Sequence, residues 1–239
     1  MTPESRKNDV INDVIAGISS MAMRPVLTEL AEAYEQRSRQ RVTIVSVGGI
    51  EAVRRVQEGE AFDFVVLAGD AIDQLGSNGR IDPGSRTDLA RSGVAIAVAA
   101  GARRPDVGSE AAVRDAVLRA RSIGYSTGPS GAHLIRLFER WGIADAIASR
   151  IVQAPPGVPV GTLVASGAVE LGFQQLSELM HLPGIDVIGP LPAEIQVVTI
   201  FSAAVCTASS RGADTRALLA FLASAEADAA KRRHGMEPA

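Results

Sequence analysis

Short loops rich in serine, threonine and glycine follow several apolar runs of this sequence, and each loop leads into a segment with helical spacing. The clearest loop is residues 126–131, which contain three hydroxyl side chains and two glycines. The first N–H groups of a helix lack intrahelical partners and lie at the positive end of the helix dipole. Several such loops that converge would bind an anion without a charged side chain. The alternative is an ordinary helix start, with Thr127 or Ser130 as its N-cap.

Candidate anion ligands occur at corresponding places elsewhere in the chain. Ser19 and Ser20 follow the first apolar run, and Gly48 and Gly49 follow the second, where bare backbone lets a ligand approach closely. Paired serines also serve as caps and paired glycines as turns, so both alternatives stay open. The candidates from this pattern are Ser19, Ser20, Arg24, Gly48, Gly49, Ser126, Thr127, Ser130, Gln174 and Gln175.

Three of these candidates carry a charged or amide side chain. Arg24 begins the first predicted helix, where the dipole disfavours a cation unless a ligand carboxylate offsets it. An arginine that is simply exposed is the alternative. Gln174 and Gln175 end an apolar run and could present their amides to a ligand.

No residue pattern identifies a catalytic group. The candidates for a proton-transferring base are His133, Glu51 and Asp70, and each has a simpler interpretation. His133 adjoins an apolar helix stripe, Glu51 complements a helix N-terminus, and Asp70 is predicted to be an N-cap. The sequence has no nucleophile elbow, P-loop, HExxH or CxxC motif, and its three histidines lack metal-ligand spacing. We therefore predict no metal and no cofactor.

Composition limits the class of partner. Of the 239 residues, 46% are hydrophobic and 21% are charged, as in a folded globular protein. A net charge of −3 argues against a nucleic-acid partner, because phosphate neutralisation needs clustered positive charge. The single cysteine, Cys206, lies in an apolar run and is predicted to be a buried structural thiol.

The sequence predicts neither a membrane span nor a leader. The longest wholly apolar stretch, residues 94–100, is far shorter than the ~20 residues that a bilayer requires. Two basic residues precede the apolar run at residues 14–23, but acidic neighbours offset them and small polar residues interrupt the run. We expect a cytoplasmic protein, or a periplasmic one if a leader was removed.

Strand-like and helix-like segments alternate along the chain, which predicts βαβ units and a parallel sheet flanked by helices. Strands are predicted at residues 14–17, 42–45, 64–68, 94–100, 122–125, 150–153, 170–174, 187–188 and 197–205. The principal helices are predicted at residues 25–37, 70–75, 110–119, 130–140, 160–165, 215–223 and 225–233, with a further helix through Ala52 and Val56.

Three segments carry a resemblance to a known family: residues 58–68, residues 163–173, and the C-terminal stretch that closes with residues 234–239. Over residues 14–239 the chain resembles the periplasmic molybdate-binding proteins of ABC importers. The resemblance implies a two-lobed type II periplasmic-binding-protein fold of the α/β class. Each lobe would be a mixed, mostly parallel sheet flanked by helices, with a ligand cleft between the lobes. We expect lobe 1 at residues 14–92 plus 203–239 and lobe 2, with the crossing strands, at residues 93–202.

The resemblance also implies positions for the ligand contacts. Carried over by position, they fall on Ser19 or Ser20, near Gly48 and Gly49, on Ser130, on Val158 and near Gln175. Two of these depart from the family, because glycine replaces a serine and glutamine replaces a tyrosine. Glycine makes room, and glutamine both donates and accepts hydrogen bonds. The departures favour an organic acid over tetrahedral molybdate.

Two functions therefore stay open. The first is the binding of a small anion, an organic carboxylate or an oxyanion, in partnership with an ABC importer if the chain is exported. The second is a cytoplasmic isomerase that moves a C=C bond, since relatives of this fold act on aconitate-like acids or ketosteroids. That reaction needs a proton-transferring group and donors that hold a dienolate. With aromatic residues at 4%, a small polycarboxylate is a better candidate than a steroid.

Overall fold

The computed structural model describes residues 14–239, in which strands and helices alternate as predicted. The strands are β1 (Val14–Ser20), β2 (Arg41–Val47), β3 (Phe64–Ala68), β4 (Thr87–Ala99), β5 (Ile123–Tyr125), β6 (Ile151–Gln153), β7 (Leu171–Gln175), β8 (Ile185–Pro190), β9 (Val198–Val205) and β10 (Glu237–Pro238). The helices are α1 (Arg24–Ser38), α2 (Gly49–Gln57), α3 (Gly69–Ser77), α4 (Glu110–Arg119), α5 (Pro129–Arg140), α6 (Ala144–Ile147), α7 (Val160–Ala165), α8 (Leu176–Leu179), α9 (Gly212–Ala223) and α10 (Asp228–Arg233). Short 3-10 turns are Met21–Met23, Pro83–Ser85, Ala148–Arg150 and Ala225–Ala227.

The described chain divides into two compact units. The first contains residues 14–90, 200–233 and 238–239, and the second contains residues 91–199 and 234–237. The chain changes unit within β4 and again within β9, the two longest strands. Residues 234–237 belong to the second unit, whereas the sequence analysis assigned them to lobe 1.

The sheet of the first unit is built on three parallel strands. β1 pairs in parallel with both β2 and β3, and β3 pairs antiparallel with β9. All five residues of β3 are buried, which explains why they form an unbroken apolar run. On one face, Ile18 packs in a cluster with residues of α2 and α3, among them Ala52 and Ile72. The carboxyl ends of β1, β2 and β3 therefore meet at one edge.

The second unit repeats this arrangement with different neighbours. β5 pairs in parallel with β6 and β7, while β4 pairs antiparallel with β7 and β8. The predicted apolar stripe of α5 is buried at Leu134, Leu137 and Phe138, and it packs with Ile96 and Phe173. The carboxyl ends of β5, β6 and β7 therefore meet at a single edge.

The predicted N-cap of α3, Asp70, is wrong, and the alternative interpretation of Thr127 or Ser130 as the N-cap of α5 does not hold either. α3 begins at Gly69 after Ala68, so Asp70 lies inside the helix, where its Oδ1 accepts a hydrogen bond from Ala71 N at 2.9 Å. α5 begins at Pro129 after Gly128, so neither Thr127 nor Ser130 is its N-cap. The fixed φ of proline suits the first helical position, which explains why the helix starts one residue earlier than predicted.

The predicted burial of Cys206 is confirmed. The thiol is buried, and burial raises its pKa to about 12, with a smaller contribution from Asp63. It therefore stays protonated and unreactive at neutral pH. Among the helices of residues 14–239, none combines the length and the apolar character of a membrane-spanning segment.

Candidate functional site

Each parallel strand of the first unit leads into a helix at the same edge of the sheet. α1, α2 and α3 follow β1, β2 and β3 and begin at Arg24, Gly49 and Gly69. We call this the first loop edge, formed by residues 19–24, 46–49 and 68–70. Because the first amides of a helix lack intrahelical partners, the edge presents N–H donors and partial positive charge.

The paired serines of the first loop edge have different environments. Ser19 is fully buried, and its Oγ lies 2.8 Å from Ser46 Oγ, so its hydroxyl has a protein partner. Ser20 is only 9% exposed, and its Oγ has no hydrogen-bond partner within residues 14–239. A buried hydroxyl without a partner costs roughly 1–3 kcal/mol. Ser20, unlike Ser19, is therefore the hydroxyl that a ligand could satisfy.

Strand geometry shows which helices Ser20 faces. Side chains alternate along a strand, so Ser20 lies on the same face of β1 as Ile18. That face packs against α2 and α3. At the second predicted contact position, a Cβ added at Gly48 or Gly49 would meet no atom within 4 Å beyond its own chain neighbours. The start of α2 therefore has open space beside it.

Arg24 lies on a different face from Ser20. With Leu27, Thr28, Ile44 and Ser46 it lines a surface pocket of about 400 Å³. Ser46 is the partner of Ser19, so this pocket adjoins the face of β1 opposite Ser20. The structure does not bring Arg24 and the Ser20 hydroxyl together.

Neither candidate base of the first unit, Glu51 or Asp70, has contacts that favour proton transfer. Glu51 is partly exposed and accepts hydrogen bonds from Arg54 Nε at 2.8 Å and Nη2 at 2.6 Å. These bonds hold the pKa of Glu51 below its usual range, which makes the carboxylate a weaker base. Asp70 is exposed, and its contact with Ala71 N is local to the start of α3.

The second unit has its own edge of strand-to-helix loops. β5 leads into α5, β6 into α7, and β7 into α8. We call this the second loop edge, formed by residues 126–131, 153–160 and 174–178. Ser126 Oγ lies 3.3 Å from Ser130 Oγ, and Gly128 N donates to Ser126 Oγ at 3.4 Å. Ser130 is buried and Thr127 is exposed.

Gly131 makes this fold of the loop possible. A Cβ at position 131 would overlap the carbonyl oxygen of Ser126, an atom of the backbone that cannot rotate away. The backbone of the loop therefore crosses the first turn of α5 at a distance that only glycine allows. This packing holds the hydroxyls of Ser126 and Ser130 close together.

Gln174 has an internal role that the sequence analysis missed. Its Oε1 accepts a hydrogen bond from Val160 N, the first amide of α7, at 2.7 Å, and its Nε2 donates to Glu178 Oε1 at 2.8 Å. The buried side chain of Gln174, on β7, therefore caps the N-terminus of α7. Val158, the fourth contact implied by the resemblance, donates its N–H to Pro155 O at 3.0 Å within a turn.

Gln175 also bonds to its own chain. With Nε2 donating to Gly93 O at 3.1 Å and Ser92 O at 3.0 Å, its Oε1 accepts from Thr199 Oγ1 at 2.8 Å. This amide orientation satisfies both ends of the buried side chain. Gln175 therefore links β7 to the segments around Gly93 and Thr199.

Glu178 is the titratable residue of the second loop edge that sequence reasoning missed. Burial raises its pKa to about 7, and the hydrogen bond from Gln174 lowers it only partly. The next residue toward the N-terminus, Ser177, has a buried Oγ without a hydrogen-bond partner in the described part of the chain. Nothing in the local pattern predicts this burial, because α8 is a single turn.

His133 is held by one ring nitrogen. Its Nε2 lies 2.8 Å from the carbonyl oxygen of Ile195. Because a carbonyl only accepts, Nε2 carries the proton, and Nδ1 is the nitrogen that could accept another. Among residues 14–239, no group of three or more His, Cys, Asp or Glu side chains is placed to hold a metal ion.

Comparison with known proteins gives the family. Residues 15–237 match the family model for bacterial extracellular solute-binding proteins. An aconitate isomerase from Pseudomonas sp. is 35% identical over 227 residues, which cover 92% of this chain and 86% of that protein.

Solved structures give the fold. The periplasmic molybdate-binding protein of Azotobacter vinelandii superposes with a TM-score of 0.76 at 20% identity, covering 93% of this chain and 98% of that one. AgtB of A. tumefaciens R10, solved with agropinic acid, superposes with a TM-score of 0.74 at 14% identity, covering 95% and 83%. The predicted type II periplasmic-binding-protein fold is confirmed, as is the resemblance to molybdate-binding proteins and isomerase-like relatives. The chain belongs to the bacterial extracellular solute-binding protein family.

Proposed function

We propose that this chain binds a small organic polycarboxylate through its strand-to-helix loops. The observation that carries the proposal is the hydroxyl of Ser20, which is buried without a partner and faces the starts of α2 and α3. A carboxylate oxygen would accept a hydrogen bond from this hydroxyl and from nearby helix amides. The open space at Gly48 and Gly49 would admit a ligand larger than molybdate.

The comparisons support an organic acid as the ligand. The Pseudomonas relative, at 35% identity, is an aconitate isomerase, and aconitate is a tricarboxylate. The molybdate-binding neighbour shares only 20% identity, which supports the fold and leaves the ligand open. We therefore propose aconitate-like acids as the first ligands to test.

The two serines of β1 provide the first test. Ser20→Ala should weaken the binding of cis- or trans-aconitate about 10-fold or more, because a hydrogen bond to a charged group contributes about 1.5–3 kcal/mol. The same change should leave the ligand-free protein as stable or slightly more stable, since it removes an unpartnered buried hydroxyl. Isothermal titration calorimetry and thermal unfolding measure the two effects.

Ser19→Ala is the matched control. It removes the hydrogen bond between the buried Ser19 hydroxyl and the half-buried Ser46 hydroxyl, so it should lower the stability of the ligand-free protein by about 1 kcal/mol while affinity stays near that of the wild type. Equal losses of affinity in both variants, or tight molybdate binding with no response to any organic acid, would contradict the proposal.

A second function is isomerisation of the bound acid. It is favoured by the 35% identity to aconitate isomerase, in an alignment that covers 92% of this chain. In that reaction a base removes the proton from the allylic CH₂, and the electron pair moves into a dienolate on the adjacent carboxylate. The C=C bond shifts as a proton returns to the former vinylic carbon. Glu178 has the pKa that suits a general base near neutral pH.

Deuterium exchange separates the two functions. If the chain is an isomerase, cis- and trans-aconitate should interconvert in D₂O with deuterium appearing on the allylic carbon, followed by NMR. If Glu178 is the base, Glu178→Gln should slow both the interconversion and the deuterium exchange at least 100-fold, because the amide cannot take the proton. Binding without interconversion or exchange would leave the chain a binding protein.

A further inference from the structure

A guanidinium lies at the start of α3, at the first loop edge. Arg86 follows the Pro83–Ser85 turn and precedes β4. Its Nη2 would lie 3.1 Å from a Cβ added at Gly69, the first residue of α3. The cation is therefore next to the helix N-terminus that faces the same side of the sheet as Ser20.

This position is electrostatically unfavourable unless anions surround it. The start of α3 carries partial positive charge, which repels a cation. Two carboxylates offset part of this repulsion. Asp73 Oδ1 lies 3.0 Å from Arg86 Nη1, and Asp88 Oδ1 lies 3.5 Å from Arg86 Nη2. Asp88 Oδ1 also accepts a hydrogen bond from Ser202 Oγ at 2.6 Å, so its charge is shared.

The guanidinium keeps the capacity to bind a further anion. It has five N–H donors, and the two aspartates approach one terminal nitrogen each. The Arg86 side chain is 39% exposed, so a small ligand can reach it. A planar guanidinium can bind both oxygens of a carboxylate side by side.

We propose that Arg86 binds one carboxylate of the ligand and makes the first loop edge selective for acids with two or more carboxylates. The second carboxylate would use the Ser20 hydroxyl and the amides at the start of α2. The proposal rests on the proposed function and adds the residue that selects ligand charge. An ion pair that only fastens the start of β4 to α3 is the competing explanation.

The experiment compares wild type, Arg86→Gln, Asp73→Asn and Arg54→Gln by calorimetry with trans-aconitate, a monocarboxylate and molybdate. Arg54 is the matched control because it also pairs with two carboxylates, Glu51 and Glu58, on the surface of the first unit. We expect Arg86→Gln to weaken trans-aconitate binding at least 10-fold, with a much smaller effect on the monocarboxylate. Arg54→Gln should bind as the wild type does.

Asp73→Asn distinguishes ligand binding from a structural role. It removes a carboxylate that competes with the ligand for Arg86, so it should leave trans-aconitate affinity unchanged or raise it. If the ion pair were only structural, Asp73→Asn and Arg86→Gln would lower affinity alike. Unchanged trans-aconitate binding in Arg86→Gln, with binding intact in the wild type, overturns the role of Arg86 alone. A wild type that binds no carboxylate overturns the proposed function as well.

Discussion

Gly131→Ala should lower the melting temperature by roughly 6–12 °C and weaken anion binding to the extent that the proposed ligand uses the Ser126 and Ser130 hydroxyls. The added Cβ would overlap the carbonyl oxygen of Ser126, so the loop and the first turn of α5 must separate. Overpacking of this kind costs about 3 kcal/mol, and each kcal/mol shifts the melting temperature by roughly 2–4 °C in a chain of this size. Thermal unfolding and calorimetry measure the two effects.

Gly128→Ala is the control for this change. It adds the same methyl group three residues earlier in the same loop, where the nearest atom, Ser126 Oγ, would be 3.6 Å away. This distance is ordinary van der Waals contact, so the melting temperature should change little. If Gly131→Ala were as stable as Gly128→Ala, the tight crossing at Ser126 would not exist in solution.

Glu178→Gln should remove a large pH dependence of stability. The Glu178 carboxyl has a pKa of about 7 in the folded chain against 4.5 for an ordinary glutamate, so the folded state binds the proton more tightly than the unfolded state. The folded state therefore loses stability as pH rises from about 4.5 to 7, by about 1.4 kcal/mol per pH unit and ~3 kcal/mol in total. Relative to the wild type, the Gln variant should become progressively more stable across this window.

The measurement is the free energy of unfolding by urea at several pH values from 4.5 to 8, taken as the difference between variant and wild type. Glu170→Gln is the contrasting control, because hydrogen bonds from Arg121 lower the pKa of Glu170. The stability that this interaction gives the wild type is present above about pH 5, so the difference between variant and wild type should stay constant there and shrink only as pH falls further. A flat difference for Glu178→Gln over the same range would show that Glu178 is hydrated in solution.

The secondary structure was predictable wherever the local sequence pattern alone determines the element. β3, α4 and α7 were predicted with their observed bounds, because apolar runs or helical spacing end at clear breakers. Among the strands whose predicted end came too early are β1, which continues through Ser20, and β7, which continues through Gln175. Their last residues are polar, and polar residues at a strand end look like loop residues in the sequence.

The candidate site was harder to predict because its roles depend on distant partners. Gln174 caps Val160, 14 residues away, and Gln175 bonds Thr199, 24 residues away. No local pattern distinguishes such buried amides from amides that await a ligand. The choice between Ser19 and Ser20 depends on which face of β1 each occupies, and that required the register with β2.

The two changes of unit within strands have a consequence for the order in which the chain is made. β9 supplies the strand that pairs with β3, in register from Phe64 opposite Val205 to Ala68 opposite Phe201. A ribosome must therefore synthesise residues 200–205 before the sheet of the first unit can be completed. Residues 91–199, nearly all of the second unit, emerge earlier as one uninterrupted stretch. Until β9 has been synthesised, the buried strand β3 lacks its antiparallel neighbour, and its apolar residues stay incompletely covered.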